Sequence, residues 1–537
     1  MYSYADEIVR TLQRAGVNTV YGIPSVHNIG LYEALRRTPE IRHILCRQES
    51  TAAHMADGYA RAGHRVGVVL TSTGPGTGYL VPAIHEAWGS CSPVLIITTN
   101  IAESRIGKGF GVLHELENQD HLFRTITKAT LLARSEDHIG ALTREAIDIA
   151  LSGRPGPVYL EIPTNLLKNP FLNKGGGENK KAGVMALPSR LEEALDLIRH
   201  AKQPLIIVGT AAVRAGIAED VRMIAEILGA PVMATLTAKG IVPDDHPLVF
   251  GNLVRKGIIG ETRKTCDVVL AIGTRLRAAD AQRRGLALPK LIHVDWDNRW
   301  MNRNFSAEIE LPGDLHITVR AILQGLEGEA PKEDRFGWMK NMRQRMEQEE
   351  GSIRQANTAM SYLDAIRAAL PRESTLVIDN TQLGYWAEYF YPSYCPDGLM
   401  GAKGSSTIGF AFAAAMGAKM ACQERPILAL IGDGGFLYSS QELSTCLRHN
   451  IGFPVIVAND GAYGVISHLQ RTTYGQEYEV RLVNPDFVGL AEAYGVKGIR
   501  VCSPKGLEEA LKQALGSGTM WLIELTQDFH EPPFAKY

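Results

Sequence analysis

The stretch between Ile427 and Gly464 constrains the fold of this chain more than any other. Two apolar runs, Ile427–Ile431 and Phe453–Ala458, flank a helix-like segment, and each run is followed by an acidic residue, Asp433 or Asp460. This pattern predicts a strand, a tight glycine turn, a helix and a second, parallel strand. Because parallel strands end at one edge of a sheet, where such folds bind ligands, we expect the two carboxylates side by side in one crevice.

The glycines that follow the first run suit a phosphate ligand. Gly432, Gly434 and Gly435 allow a ligand to approach the backbone closely, and the helix N-terminus beyond them favours a phosphate group. Hard carboxylate oxygens beside a phosphate suit Mg²⁺ or Ca²⁺ better than a soft metal. An ordinary turn also explains glycine and aspartate at this position, and it is the second acidic strand end that favours a ligand site.

The length and the apolar pattern predict a multidomain α/β protein. A chain of 537 residues is too long for one core and indicates about three domains. Short apolar runs alternate with helical stretches throughout, which predicts three doubly wound parallel-sheet domains in series. We place them at 1–168, 188–325 and 351–537, with a polar linker over 169–187 and a charged helix or connector over 326–350.

Composition narrows the possible partners and location. The 56 basic and 58 acidic residues nearly cancel, so nothing indicates binding to nucleic acid or to an anionic membrane. The seven cysteines form no CxxC pair, which favours reduced thiols. The N-terminus lacks a signal-peptide pattern, and the longest run of small apolar residues, Gly409–Ala418, is too short for a bilayer. We therefore expect a cytoplasmic protein.

Several segments carry a family resemblance. The stretch from Gly432-Asp433-Gly434 to Asn459-Asp460 resembles the thiamine diphosphate fingerprint, which runs from GDG to an Asn-Asn pair. RQESTAAHMADGYAR (47–61) is similar to RHEQGAxxMAxGYAR of the acetolactate synthase family, and TSTGPGTG (71–78), EAWGSCSPVLIIT (86–98) and GSSTIGFAFAAAMGA (404–418) match further segments of it. The chain thus resembles, over nearly its whole length, thiamine-diphosphate-dependent enzymes of the acetolactate synthase and 2-oxo acid decarboxylase family.

This resemblance implies a pyrimidine-binding first domain, a central domain and a diphosphate-binding third domain. It implies that Asp433, Asp460 and the backbone oxygen of Ala462 hold the divalent metal, Mg²⁺ or Ca²⁺, that binds the diphosphate of the cofactor. Asp460 departs from the commoner asparagine and adds a negative charge. We expect the metal still to bind, and the effect on cofactor affinity stays open.

Glu49 is the candidate catalytic carboxylate. By the resemblance it hydrogen-bonds a ring nitrogen of the aminopyrimidine and favours the imino form, whose nitrogen takes the proton from the thiazolium carbon. A carboxyl group that shares a proton in a dry site is expected to have a raised pKa. A favourable interaction with the helix macrodipole alone also explains a glutamate at a helix start.

The resemblance also assigns contacts to the cofactor. Ile408 matches the family position at which a large apolar side chain separates the two rings of the cofactor. The carbonyl group of Ser406 matches the one that accepts a hydrogen bond from the amino group of the pyrimidine. An apolar residue at position 408 is explained equally well by packing in the core. Polar residues at 381 and 382 are explained equally well by their position in a loop. The candidate cofactor-binding residues are Gly74, Thr381, Gln382, Ser406, Ile408, Gly432, Gly434, Gly435, Tyr463 and Gly464.

Some segments separate members of the family. Flavin-binding acetolactate synthases carry RFDDR where this chain has GTRLRAADAQRR (273–284), so we expect no FAD. Pyruvate decarboxylases carry an adjacent His-His pair in the first domain and a glutamate shortly after the metal-binding loop. This chain has no His-His pair, and Ile466 occupies the position of that glutamate. GIPSVHNIGLYEAL (22–35), GVLHELENQ (111–119) and DNTQ (379–382) resemble a bacterial subgroup that includes 5-guanidino-2-oxopentanoate decarboxylase. They make His27, His114 and Glu115 candidate catalytic residues, although a lone histidine is more often structural.

The expected function is therefore non-oxidative decarboxylation of a 2-oxo acid through an enamine or carbanion intermediate. The alternative is an acetolactate-synthase-like carboligase that joins the enamine to a second carbonyl substrate. A non-catalytic binding protein on the same fold is disfavoured by Glu49, Asp433 and Asp460. The family further implies active sites between the first domain of one subunit and the third domain of another, hence a homodimer or homotetramer.

Overall fold

The computed structural model describes residues 2–134, 139–171, 187–255, 257–279, 288–330 and 333–536. Most of the linker predicted over 169–187, and the last five residues of the 273–284 stretch, lie outside these ranges. Within them, no helix has both the length and the apolar character needed to cross a membrane.

The first domain is a six-stranded sheet with helices on both faces. Its helices are α1 (Tyr4–Arg14), α2 (Ile29–Arg36), α3 (Glu49–Gly63), α4 (Pro75–Gly78), α5 (Val81–Gly89), α6 (Ile139–Leu151) and α7 (Thr164–Leu167). Its strands are β1 (Thr19–Gly22), β2 (Arg42–Leu45), β3 (Gly67–Thr71), β4 (Val94–Asn100), β5 (Ala129–Leu132) and β6 (Val158–Pro163). The strand order is β2-β1-β3-β4-β6-β5, and every pair is parallel.

The central domain is a second parallel sheet. Its helices are α8 (Leu191–His200), α9 (Thr210–Arg214), α10 (Ala218–Leu228), α11 (Ile258–Thr265) and α12 (Leu315–Gly325). Its strands are β7 (Pro204–Val208), β8 (Val232–Ala234), β9 (Val249–Asn252), β10 (Val268–Ile272), β11 (Leu291–Asp295) and β12 (Ile309–Pro312), in the order β12-β11-β10-β7-β8-β9. The charged stretch that follows contains a long helix, α13 (Glu333–Ala356).

The third domain repeats the strand order of the first. Its helices are α14 (Thr358–Ala369), α15 (Gln382–Phe390), α16 (Phe410–Ala421), α17 (Asp433–Phe436), α18 (Leu443–His449), α19 (Gly464–Tyr474), α20 (Phe487–Ala493) and α21 (Pro504–Ser517). Its strands are β13 (Thr375–Ile378), β14 (Leu399–Gly401), β15 (Ile427–Gly432), β16 (Pro454–Ala458), β17 (Lys497–Val501) and β18 (Trp521–Leu525). The order β14-β13-β15-β16-β18-β17 matches that of the first sheet position by position.

Three doubly wound parallel sheets in series were predicted, and the structure confirms them. The domain boundaries at 168, 188, 325 and 351 stay predictions. The central strands of each sheet are buried on both faces, which is why they read as continuous apolar runs rather than alternating ones. The short strands β5, β9, β12, β14 and β17 have weaker apolar runs and are therefore harder to predict from the sequence.

Helices α3 and α16 join the first and third domains into one apolar core. Two glycines allow their backbones to touch. A Cβ built at Gly58 would lie 2.0 Å from the carbonyl oxygen of Ala414, and one built at Gly417 would lie 1.8 Å from that of Met55. The equivalent helices of the repeated fold therefore cross at close contact, and larger residues at either glycine would separate the domains.

Candidate active site

Asp433 and Asp460 lie at the ends of neighbouring parallel strands. β15 pairs with β16 so that Gly432 is opposite Ala458; Asp433 follows directly, and Asp460 comes two residues after Ala458. Both aspartates line one cavity of about 260 Å³ at this edge of the third sheet. The geometry predicted from the two acidic strand ends is therefore present, and the cavity is where it was expected.

The two carboxylates have environments that suit a cation. Burial raises the pKa of Asp433, and burial followed by the charge of Asp433 raises the pKa of Asp460 to about 7. The Asn484 side chain donates to Oδ2 of Asp433 (2.6 Å) and to Oδ1 of Asn459 (2.9 Å). No lysine or arginine is among the described residues that line the cavity. Two hard carboxylates without a basic partner form a donor set that fits Mg²⁺ or Ca²⁺.

A third ligand would have to come from the backbone, from an amide side chain or from a bound molecule. The described part of the chain holds no cluster of three or more His, Cys, Asp or Glu side chains suited to a metal. The loop after Asp460 turns back on itself, because the Ala462 amide donates to Oδ1 of Asp460 (3.3 Å). This places Ala462 on the cavity wall beside both carboxylates.

Two glycines keep this cavity open. A Cβ built at Gly464 would lie 2.2 Å from Oδ2 of Asp460, and one built at Gly434 would lie 2.8 Å from the ring of Tyr463. Neither distance is possible for real atoms, so a side chain at either position would displace the carboxylate or the tyrosine. The glycine positions thus form a cradle of the kind that a diphosphate group occupies.

The loop before α16 also lines this cavity, beside Gly435. Ser406 has a left-handed backbone (φ 60°), and its carbonyl oxygen accepts a hydrogen bond from the Asn380 side chain (2.8 Å). Ile408 of this loop lines the cavity, as do Thr381 and Gln382 at the start of α15. Oε1 of Gln382 is buried without a hydrogen-bond partner. An unpaired buried amide oxygen costs free energy, so this atom is well suited to receive a donor from a ligand.

The structure brings together all the predicted diphosphate and metal residues of the third domain. The described residues that line the cavity include Thr381, Gln382, Ser406, Ile408, Gly432, Asp433, Gly434, Gly435, Asp460, Ala462, Tyr463 and Gly464. Two further residues, which were not predicted from the sequence, belong to the site: Asn380 lines the cavity, and Asn484 donates a hydrogen bond to Asp433. Asn380 lies inside the DNTQ segment, which could have indicated it, whereas no motif surrounds Asn484.

Glu49 opens α3 in the first domain, as its sequence context predicts. Burial raises the pKa of its carboxyl group, which agrees with the expectation for a proton-sharing carboxylate. Oε1 lies 3.3 Å from where a Cβ at Gly76 would be, in the loop that corresponds to Gly434 and Gly435 in the repeated fold. Glu49 is not among the residues that line the third-domain cavity of the same chain.

His27, His114 and Glu115 form a second polar group in the first domain. The rings of His27 and His114 lie 5.1 Å apart, and Nδ1 of each is buried without a partner. Burial, and after it the charge of His114, lowers the pKa of His27. Oε2 of Glu115 accepts from the Val112 amide (2.8 Å), while its Oε1 is buried and unpaired.

Gly74 ties this polar group to the loop beside Glu49. Its backbone is left-handed (φ 66°), and a Cβ there would lie 2.5 Å from the carbonyl oxygen of His114. His114 is itself left-handed (φ 63°). The close approach of these two backbones places His114 beside the predicted cofactor loop.

A three-domain α/β chain with a glycine-lined cavity, two acidic strand ends and a buried glutamate at a helix start has the features of a thiamine diphosphate enzyme. Family models agree over three separate regions. Residues 3–122 match "Thiamine pyrophosphate enzyme, N-terminal TPP binding domain", residues 191–322 match the central domain and residues 379–525 match the C-terminal TPP binding domain. The chain belongs to the thiamine pyrophosphate enzyme family, and thiamine diphosphate is its cofactor.

The chain is similar to known proteins over nearly its whole length. A "Probable acetolactate synthase large subunit" of Methanocaldococcus jannaschii is 32% identical over 98% of this chain and 92% of the relative. A "Probable 2-ketoarginine decarboxylase" of Pseudomonas aeruginosa is 34% identical over 96% of this chain and 93% of the relative. The acetolactate synthase isozyme 3 large subunit of Escherichia coli is 28% identical over 96% and 92%. The predicted family and subgroup are confirmed.

Proposed function

We propose that this chain catalyses the non-oxidative decarboxylation of a 2-oxo acid. The observation that carries the proposal is the group of three unpaired buried polar atoms on His27, His114 and Glu115. Groups that move protons are what a decarboxylase needs, because the substrate carbon that loses CO₂ must receive a proton. The relative named a 2-ketoarginine decarboxylase supports the same reading.

Asp433, Asp460 and the carbonyl oxygen of Ala462 are proposed to hold Mg²⁺ against the diphosphate group. Gly434, Gly435 and Gly464 leave the space for it, and the side chain of Ile408, next to Gly435, supports the cofactor. When bound, thiamine diphosphate supplies the electron sink for the electron pair left behind by CO₂. The Glu49 carboxyl group holds a proton at its oxygen for the aminopyrimidine nitrogen, and its raised pKa favours that sharing.

His27 and His114 are proposed to deliver the proton that completes the reaction. Each ring has an unpaired buried Nδ1, and the lowered pKa of His27 makes it release a proton readily once it is charged. The unpaired Oε1 of Glu115 is an acceptor for a donor group of the substrate. A carboxylate in this position suits a substrate with a basic side chain, such as the guanidinium group that the name of the Pseudomonas aeruginosa relative implies.

We further propose that a complete active site needs two copies of the chain. Glu49 does not line the cavity of its own third domain, so a second copy is the natural source of the pyrimidine-side glutamate. Large apolar side chains exposed on both domains support this. They are Val26, Phe110 and Leu113 in the first domain, and Ile466, Leu469 and Val483 in the third. We propose that the protein assembles as a homodimer or homotetramer. The same proposal includes Mg²⁺ as the metal and a cytoplasmic location.

A carboligase is the second candidate. Relatives named acetolactate synthase match the same length of chain, and the apolar Val465 and Ile466 line the cavity where a second carbonyl substrate would be received. The two functions differ in whether a proton or a second carbonyl compound reacts with the substrate carbon. They therefore give different products from the same first substrate.

Product analysis separates these functions. Purified protein with thiamine diphosphate and Mg²⁺ is supplied with pyruvate, branched-chain and aromatic 2-oxo acids and 2-ketoarginine, each with and without an aldehyde or 2-oxo acid acceptor. We expect CO₂ and free aldehyde in equal amounts, with 2-ketoarginine preferred and an inactive Glu49→Gln control. CO₂ with a hydroxyketone or acetohydroxy acid would instead establish the carboligase, and absence of CO₂ with every acid would contradict both.

A further inference from the structure

Glu86, in helix α5 of the first domain, is buried where the first and third domains meet. Its side chain is fully enclosed. Oε1 accepts from the Gly404 amide (2.8 Å) and Oε2 from the Ser405 amide (2.7 Å), although these residues are more than 300 positions away in the sequence. One carboxylate therefore holds two consecutive backbone amides of the loop that leads to Ser406 and Ile408.

The charge of Glu86 is balanced inside the protein. Arg61 donates to Oε1 of Glu86 (3.1 Å) and pairs with Asp57 through the same side chain, while the Ser90 hydroxyl donates to Oε1 (2.8 Å). Burial alone would raise the pKa of Glu86, but Arg61 and the two loop amides together lower it to about 2. The carboxylate is thus charged at neutral pH, and charge-assisted bonds to amides are stronger than neutral ones.

The loop that Glu86 holds is strained and tightly packed. Ser406 has a left-handed backbone, which is unfavourable for a residue other than glycine. A Cβ built at Gly404 would lie 2.1 Å from the carbonyl oxygen of Glu86, and one built at Gly89 would lie 2.2 Å from the Cα of Gly404. Such a conformation persists only where surrounding contacts fix it, and Glu86 on one side with Asn380 on the other supply those contacts.

We infer that Glu86 is a positioning residue, which fixes the loop 404–408 of the third domain so that the Ser406 carbonyl group and the Ile408 side chain face the cofactor. Two first domains would then contribute to each active site, that of the second copy through Glu49 and that of the same chain through the loop that Glu86 holds in place. This inference rests on the proposed cofactor site. It adds to that proposal the residue that orders the strained loop 404–408 before the cofactor binds.

Hydrogen exchange of the protein without cofactor tests the positioning directly. In the wild type, the amides of Gly404 and Ser405 are expected to be strongly protected, because both donate to a buried carboxylate. In Glu86→Gln, the neutral amide can accept from only one of them, so exchange at 404–408 is expected to be at least about tenfold faster. Unprotected amides in the wild type, or unchanged exchange in the variant, would overturn the inference.

Calorimetric titration with thiamine diphosphate and Mg²⁺ tests the consequence. We expect the dissociation constant of Glu86→Gln to rise about tenfold, equivalent to about 1.4 kcal/mol, with turnover largely recovered at saturating cofactor. The matched control is Asp397→Asn, which removes another buried inter-domain carboxylate, paired with Arg214, that bonds none of these loop amides. Its dissociation constant should stay within about twofold of the wild type. An equal loss in both variants would mean general destabilisation and would overturn the inference.

The two proposals fail in different ways. If the wild-type protein does not bind thiamine diphosphate, the proposed cofactor site is wrong, while the exchange experiment still decides whether Glu86 orders the loop. If the wild type binds and Glu86→Gln binds equally well, the cofactor site stands and the role of Glu86 does not.

Discussion

Asp433 and Asp460 face one cavity from neighbouring strand ends, and their mutual repulsion is built into the fold. Burial and the charge of Asp433 raise the pKa of Asp460 to about 7, and no basic side chain is among the described residues of the cavity wall. The protein without metal therefore carries an unfavourable interaction that a bound divalent cation would remove.

The first prediction concerns this repulsion. Asp460→Asn is expected to raise the melting temperature of the metal-free protein and to reduce the further increase produced by Mg²⁺. Thermal melts in EDTA and in Mg²⁺ measure both quantities. The control is Asp486→Asn, an exposed carboxylate paired with Arg500 outside the cavity, which should change neither. A lower melting temperature for metal-free Asp460→Asn would show that the pair is not repulsive.

The second prediction concerns Glu49. Glu49→Gln keeps the size of the side chain but cannot share a proton as a carboxyl group does, so turnover is expected to fall by about 10²–10⁴-fold. Cofactor affinity, measured by calorimetry, should change only a few-fold, because Glu49 lies outside the diphosphate cavity. Glu40→Gln, at an exposed site of the same domain, serves as the control. Near-normal turnover in Glu49→Gln would contradict the assigned role.

The fold and the diphosphate side of the site were predictable because both depend on local patterns. Buried parallel strands read as apolar runs, and residues at their carboxyl ends must meet, which placed Asp433 and Asp460 together. Glu86 was not predictable in this way. Its partners, the amides of Gly404 and Ser405, are distant in sequence and belong to the backbone, so no residue type marks them. The same holds for Asn484, whose partner Asp433 is a whole βα unit away.

The third prediction concerns the histidine pair. The pKa of His27 is lowered chiefly by burial and secondly by the charge of His114. His114→Gln should therefore raise the pKa of His27 part of the way towards its ordinary value, because burial remains. Histidine proton signals in an NMR titration measure this shift, with the exposed His121→Gln as control. An unchanged His27 titration would mean that the two rings do not interact in solution.

The proposed catalytic role of His27 is tested separately. His27→Gln is expected to lower turnover by about 10²-fold.

The fourth prediction concerns the ion pair between Asp397 and Arg214, which ties the third domain to the central domain. Burial alone would raise the pKa of Asp397, but the guanidinium group holds it well below its usual range. A carboxyl group with a lowered folded-state pKa contributes stability above its unfolded pKa, roughly 4, and loses it as pH falls further. The free energy of unfolding of the wild type should therefore decrease as the pH falls below about 4.

Asp397→Asn should remove part of that acid dependence. At neutral pH it leaves the buried Arg214 without its carboxylate, which costs about 3–5 kcal/mol. Denaturant melts at pH 7 and at pH 3 to 4 measure both effects. If wild type and variant lost the same free energy between these pH values, Asp397 would not be the titrating group.

The fifth prediction concerns the space for the diphosphate. In Gly464→Ala the new methyl group would lie 2.2 Å from Oδ2 of Asp460, so the carboxylate must move out of the position proposed for the metal. We expect the affinity for thiamine diphosphate and Mg²⁺ to fall by about 10–100-fold. The fold should survive, because the residue opens a helix and alanine has a high helix propensity.

Gly516→Ala is the matched control, since a Cβ there meets nothing within 4 Å and the site is a helix of the same domain. Calorimetric titration of both variants compares the affinities, and circular dichroism compares the folds. Equal affinities in the two variants would show that the cofactor does not depend on this glycine. Loss confined to Gly464→Ala would establish that the distance between the Gly464 backbone and the Asp460 carboxylate limits what the cavity can bind.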